Sequence, residues 1–506
     1  MTCPDREIQL IIMRAKTILL QHATLVTMDE RKPVPKSQEL LIQDGRINGL
    51  GGQLKTHGVP IDERIDCRGK IVIPGLVNAH SHLLEILQRS FRDNVRKEIW
   101  LRQRQMTEEA VELSTNTIGA AAALACAEML KSGVTAVVDH FALRSGTSAA
   151  IIKAVLGAFN RTGIRGILAP SLRDQNFLEL MGVRSPQRRA KNLKADGRWQ
   201  DEMIQGLELV KSSSTIANLM LGPSSPQNCT DGLLREVVRM AERYDLGIHT
   251  HLLETIIERW GGRHLYARGL VERIAQLGLL SPRLSAAHGV WLDQRDMDLV
   301  AQSGASVIHN PASNLKLGSG IAPVMELKRR GVNVAIGTDG GDTSDSYSVF
   351  EQMRLAAFLS RLNTANADHW LTATDVLRMG TVNGANAIPA WRGKVGKIKK
   401  GYRADLVILS PHIRLRPMND VIHQLVYCEA GHSVDTVLVD GKVVVRNGRL
   451  TFVDEKALVR AVEPISAKMY RIYRRRNPVA DKTDLAVQRL YRRALKADEP
   501  GRHFEK

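Results

Sequence analysis

Pro74-Gly-Leu-Val-Asn-Ala-His-Ser-His-Leu83 closes an apolar run that begins at Ile71. Such a run, rich in β-branched residues, reads as a buried strand. Residues two apart on a strand point to the same face, so His80 and His82 aim at one point where the strand ends. Two imidazoles converging there suit a first-row metal ion. A lone His-x-His is more often incidental than not, and the residues downstream decide between the two readings.

The 506 residues allow one very large domain or two ordinary ones. At 43% hydrophobic and 25% charged residues, the composition is that of a soluble globular protein. The five cysteines, Cys3, Cys67, Cys126, Cys229 and Cys428, are scattered and form no Cys-x-x-Cys. This argues against a disulfide framework or a cysteine-held zinc, and for a reducing compartment. Ile8 to Met13 is apolar but short and is followed by Arg14 and Lys16, so it has neither a signal-peptide layout nor a membrane-spanning length. The expected location is the cytoplasm, with no membrane partner, and residues 1–12 read as an extension before the first strand pattern near Thr17. The net charge of +18 gathers in Arg184 to Arg198 and after Lys468. Aromatic content is only 4%, with no regular interleaving of rings and cations, so no base-stacking surface and no nucleic-acid partner are expected.

Residues 17–73 read as short strands, with a hairpin turning on Asp44-Gly45. The same grammar returns near the other end, in a strand at Ala404 to Leu409 and a hairpin on Asp440-Gly441. One β-sandwich built from both chain ends, residues 17–73 and 389–452, is the simplest account. The middle, residues 74–388, alternates apolar strands with amphipathic helices, including runs at Glu108 to Lys131 and Ile256 to Gln276. Eight such units predict a (β/α)8 TIM barrel, whose functional residues sit at the C-terminal strand ends. Residues 453–506 read as a basic helical tail, with Met469, Ile472 and Tyr473 as its packing stripe.

Four of the strand ends carry chemistry. Strand one ends in His80 and His82, strand five in His249-Thr-His-Leu-Leu-Glu254, strand six in Ala287-His288-Gly289, and strand eight in Gly337-Thr-Asp339-Gly340-Gly341. Each alone has a plain structural reading: a satisfied core histidine, or an aspartate in a turn. Jointly, at one end of one barrel, they read as a site. His249 and His251 share a strand face, and spacing does not choose between them.

These motifs, with His309-Asn-Pro-Ala-Ser-Asn314 and Gly401-Tyr-Arg-Ala-Asp-Leu406, resemble the amidohydrolase superfamily over about residues 17–448. The likeness is to its aminohydrolase branch: cytosine, guanine, 8-oxoguanine and methylthioadenosine/S-adenosylhomocysteine deaminases and the triazine hydrolases. The resemblance implies one divalent metal, zinc or else iron, on His80, His82, His251 and Asp339, because the His-x-x-Glu pattern of the family takes His251. No lysine at a strand end stands where a carboxylated bridging ligand would be needed. A metal in such a site lowers the pKa of a water from near 16 to about 7. The resemblance further assigns proton transfer to Asp339, polarisation of the nucleophile to His288 and protonation of a substrate ring nitrogen to Glu254, whose pKa partial burial is expected to raise.

The substrate readers are expected among Glu85, Trp100, Arg173, Ser224 and His309. Glu85 stands where relatives carry Gln and would accept N–H donors; its plain alternative is an ion pair with Arg89 or Arg92. Trp100 is either a cap on a planar ring or a buried side chain. The basic loop Gln175 to Gln200 is long for a βα connection and fits a lid or a partner contact. The expected activity is hydrolytic deamination of an amino-substituted N-heterocycle such as a purine, pterin, pyrimidine or triazine, with release of ammonia. The alternatives are a triazine-type chlorohydrolase or alkylaminohydrolase or a cyclic-amidine hydrolase on the same site and, from another class, a non-catalytic basic binding module. A homodimer or larger homo-oligomer is expected from the resemblance.

Overall fold

A computed structural model describes residues 16–29, 37–52, 54, 56, 58–143, 147–183, 198–212, 216–476 and 482–498. The N-terminal extension 1–12 and most of the basic loop 175–200 lie outside them.

Five strands open the chain: β1 (Ile18–Leu25), β2 (Gln38–Gln43), β3 (Arg46–Gly51), β4 (Glu63–Asp66) and β5 (Ile71–Pro74). β2 turns into β3 on Asp44 and Gly45, at φ 48° and 71°, the backbone that an Asp-Gly pair adopts most readily. β1 lies antiparallel to β2 and parallel to β4 and β5.

The middle of the chain is a mixed α/β arrangement of parallel strands: β6 (Leu76–His82), β7 (Val134–Phe141), β8 (Arg165–Leu172), β9 (Asn218–Leu219), β10 (Gly222–Pro223), β11 (Ile248–Leu252), β12 (Leu284–His288), β13 (Ser306–His309), β14 (Asn333–Ile336) and β15 (Asp339–Gly340). β6, β7 and β8 pair in sequence, and β8 holds β9 and β10. A bridge from Leu221 to Ile248 leads into β11, β12, β13 and β14. Gly337 N donates to His309 O and Thr338 N to His80 O, and β15 pairs with β6. Parallel hydrogen bonding thus runs from β6 through β14 and returns to β6.

The last strands, β16 (Leu406–Leu409), β17 (Val434–Val439), β18 (Lys442–Arg446) and β19 (Arg449–Leu450), rejoin the first sheet through β16 against β5. Both chain ends therefore share one apolar filling, in which Ile18, Leu20 and Ile42 meet Leu406, Ile408 and Leu438.

Two expected helices divide. Glu108 to Lys131 becomes the end of α1 (Lys97–Glu108) and the whole of α2 (Thr115–Lys131). Ser114 starts α2 afresh by accepting from Thr117 N, the capping that short hydroxyl side chains favour. Ile256 to Gln276 becomes Ile256–Leu265 and Gly269–Gln276, parted at Gly269 with φ 84°. The C-terminal tail holds two helices, Glu455–Arg476 and Lys482–Asp498. Met469 of the first is buried, and the second packs Val487, Leu490, Tyr491 and Ala494 against Ile99 of α1, Phe177 and Ile256.

Inside the parallel strands one apolar cluster takes alternate residues, among them Val77, Ala79, Ala136, Val138, Ile167 and Ala169. On β6 this alternation would turn His80 away from the interior. An irregularity intervenes: Asn78 faces Val137 and Ser81 faces Asp139, three steps against two. Such a bulge re-aims the side chains beyond it, and His80 and His82 follow Val77 and Ala79 inward.

Candidate active site

Each imidazole of the cluster is fixed from behind. His82 Nδ1 donates to His140 O at 2.5 Å, and His251 Nδ1 donates to Ser224 O at 2.6 Å. A carbonyl only accepts, so both protons sit on Nδ1 and both Nε2 atoms carry lone pairs. For His80 the proton order follows from a chain: Ser285 Oγ donates to Ile248 O at 3.4 Å, His249 Nδ1 to Ser285 Oγ at 2.7 Å, and His80 Nδ1 to His249 Nε2 at 2.7 Å. His80 Nε2 is left as a buried atom without a hydrogen bond.

The three lone pairs and one carboxylate share a point. His82 Nε2 lies 3.2 Å from His251 Nε2, and Asp339 Oδ1 lies 3.3 Å from both His80 Nε2 and His82 Nε2. Two lone pairs at that separation have no proton between them, and a cation among the four atoms resolves the contact. Burial lowers the pKa of His80 to about 4 and also lowers those of His82 and His251. All three are neutral at pH 7, as ligation requires. Three nitrogens and one carboxylate oxygen, with no thiolate, form a site that fits a divalent metal. His249 stands behind His80 rather than in this group.

Asp339 and His288 both hold positive φ, 61° and 76°, a conformation that few non-glycine residues adopt and that Asp and His tolerate better than most. Asp339 Oδ2 accepts from Ser313 Oγ. Behind it Gly340 admits Glu85: a Cβ there would lie 1.5 Å from Glu85 Oε2. The paired glycines answer this close approach rather than a turn alone.

His288 Nδ1 donates to Asn314 Oδ1 at 2.9 Å, which leaves its Nε2 facing Glu254 Oε2 at 3.6 Å. Lys97 Nζ lies 2.9 Å from the same Glu254 oxygen and also pairs with Glu258.

A cavity opens over the cluster, lined by His82, His251, His288, Asp339 and Glu254, with Glu85, Lys97, Trp100, Arg104, His140, Arg173 and Ser224 around them. Four of the five expected readers, Glu85, Trp100, Arg173 and Ser224, line it. Glu85 is buried against Arg104 rather than Arg89 or Arg92. Burial raises its pKa to about 7, with Arg104 and Asp342 opposing. Trp100 is a fixed wall, donating Nε1 to Asp342 Oδ2 at 3.1 Å. Ser224 acts on His251 through its backbone carbonyl. His309 corrects the expectation: it is buried at the end of β13 and is not among the cavity-lining side chains. The backbone of β13 ends there on the bond from Gly337 N to His309 O.

Sequence reading missed Lys97, Arg104, His140, Ser285, Ser313 and the service of Asn314 to His288. Only Ser313 and Asn314 carried a signal, within the motif that begins at His309. Lys97 and Arg104 lie on α1, ahead of the helical run expected from Glu108.

A parallel α/β frame with three imidazoles and a carboxylate gathered at its strand ends defines a metal-dependent hydrolase. The model of the amidohydrolase family matches residues 71–444, and the chain belongs to that family. It is 32% identical over 459 residues to 5'-deoxyadenosine deaminase of Methanosarcina mazei, covering 89% of this chain and 98% of that one. It is 32% identical over 462 residues to 5-methylthioadenosine/S-adenosylhomocysteine deaminase of Desulforamulus reducens, covering 89% and 99%. Among solved structures, an adenosine deaminase from Xanthomonas campestris with bound zinc superposes with a TM-score of 0.80 at 26% identity, over 90% of this chain and 99% of that one. Zinc-complexed atrazine chlorohydrolase from Arthrobacter aurescens superposes with a TM-score of 0.79 at 25% identity, over 89% and 100%. Among the described residues no helix is long and apolar enough to cross a membrane.

Proposed function

We propose that this chain is a hydrolase of carbon–nitrogen bonds in cyclic amidines that deaminates the adenine ring of 5'-modified adenosine nucleosides. The observation that carries the reading is the placement of Glu254, beside His288 in the cavity that His82, His251 and Asp339 also line, in a family whose relatives are named as deaminases of such compounds. His80, His82, His251 and Asp339 would hold one divalent metal, zinc foremost and iron second. When bound, that ion supplies the Lewis acidity that makes water a nucleophile at neutral pH.

The chain's own residues do the rest. Glu254 carries one water proton to the ring nitrogen, and Asp339 carries the other to the leaving ammonia. His288, its tautomer set by Asn314, turns Nε2 toward the attacking oxygen. Trp100 offers its face to a planar base, and Glu85, already paired with Arg104, acts on the pocket's shape more than as a free acceptor.

A second reading keeps the site and changes the leaving group to chloride or an alkylamine from a triazine; the likeness to the atrazine chlorohydrolase favours it. An ammonia-release screen of zinc-loaded protein separates the two. Release from 5'-deoxyadenosine and 5-methylthioadenosine supports the first reading, and chloride or alkylamine release from triazines without nucleoside deamination supports the second.

The finer architecture belongs to the same proposal: a (β/α)8 barrel over residues 74–388, set into a β-sandwich of residues 17–73 and 389–452, with residues 453–506 as a helical extension. The two parallel sheets, linked by the Leu221–Ile248 bridge and the Gly337–His309 bond, and the shared core of both chain ends support it. Cys67, Cys126, Cys229 and Cys428 are free, which fits a cytoplasmic location. A homo-oligomer is testable by light scattering.

A further inference from the structure

We propose that Lys97 is a positioning residue for the acid–base group, holding Glu254 by an ion pair so that its other oxygen faces the substrate. The inference rests on the deaminase reading above.

Lys97 Nζ stands 2.9 Å from Glu254 Oε2 and bonds Glu258 Oε1 as well, while Glu258 Oε2 accepts from the Glu254 backbone N–H at 2.7 Å. The ammonium thus ties the Glu254 side chain to the carboxylate that already holds its backbone. Oε2 is taken by Lys97 and faces His288, which leaves Oε1 for the ring nitrogen. Burial pulls the Lys97 ammonium toward neutrality, and the carboxylates of Glu254, Glu258 and Glu98 more than offset it, so the net shift is upward and the group stays charged.

The helix that carries Lys97 is itself anchored. Glu98 Oε1 accepts from Thr255 Oγ at 2.7 Å, next to Glu254 in the chain. Arg102 pairs with Asp484, and the Arg96 guanidinium stacks 3.8 Å from the Tyr491 ring centroid, both partners on the C-terminal helix Lys482–Asp498. The helix backbone that carries Lys97 is therefore tied down on both sides of it, through Arg96 and through Glu98 and Arg102.

The chemistry gives the ion pair a purpose. In deamination one proton of the attacking water ends on the ring nitrogen and the other on the departing ammonia. Glu254 carries the first, and a fixed cation on its Oε2 holds the carboxylate in one orientation toward the reacting atoms.

The test is steady-state ammonia release by zinc-loaded wild type, Lys97→Met and Lys97→Arg, with metal content measured on the same samples. Lys97→Met is expected to bind metal as wild type does and to lose at least about tenfold in kcat with KM within about twofold, a part of what a positioned proton-transfer group contributes. Lys97→Arg is expected to recover most of kcat. If the apolar variant does not fold, Lys97→Gln takes its place with the same expectation. Unchanged kcat, a raised KM at unchanged kcat, or equal losses in the Arg and Met variants each overturn the inference while leaving the deaminase reading intact. Wild type that releases no ammonia across the screen overturns that reading, and the inference with it.

Discussion

His80 Nδ1 and His249 Nε2 lie 2.7 Å apart with both rings buried, so one histidine orients the other toward the metal position. The chain continues through Ser285 to a backbone carbonyl and fixes the direction of every proton in it. Partners of this kind typically account for 10–100-fold in metal affinity. His249→Ala is expected to weaken zinc binding by about that factor, and Ser285→Ala by less, since water can replace a hydroxyl. Chelator competition measures both; unchanged affinity in His249→Ala would show that His80 needs no support.

Gly340 touches Glu85 where no side chain fits. Gly340→Ala forces the Glu85 carboxyl off Arg104, and an expected loss of about 2–4 kcal/mol in folding stability follows from overpacking and a disturbed buried ion pair. Urea unfolding of the two proteins reads it. Gly341→Ala meets Tyr347 Oη at 2.9 Å and the Ile86 backbone at 3.0 Å, and is expected to cost a similar amount.

Burial raises the Glu85 pKa from 4.5 to about 7. Between those values the unfolded chain has given up a proton that the folded protein retains, so stability falls as pH rises through the window. The loss is on the order of 3 kcal/mol at full burial. Glu85→Gln removes the titration. Its stability is expected to change less than that of wild type between pH 4.5 and 7, and parallel pH profiles from chemical denaturation would argue that Glu85 is ionised throughout.

The sequence displayed its site through side chains that act at strand ends. His80, His82, His251, His288 and Asp339 fall where a strand pattern stops, and period-two geometry puts His80 and His82 on one face, while the β6 bulge turns that face inward. What it concealed depends on contacts between distant segments. Glu85 pairs with Arg104 across 19 positions and Arg102 with Asp484 across 382, and no local pattern encodes either. The bulge in β6 was equally hidden, because Asn78-Ala-His-Ser81 carries no glycine to mark it. Helix breaks at Ser114 and Gly269 did carry residues of the right type, yet apolar periodicity on both sides masked them. His309 looked like its neighbours at other strand ends, but it is buried and does not line the cavity.

The central claim is that one divalent ion, held by His80, His82, His251 and Asp339, supports deamination. Metal-stripped protein titrated with zinc while ammonia release from 5'-deoxyadenosine is followed tests it most directly. Activity is expected to rise in proportion to added metal and to level off at one equivalent per chain. Release that survives complete stripping, or that levels off only at two equivalents, would contradict it.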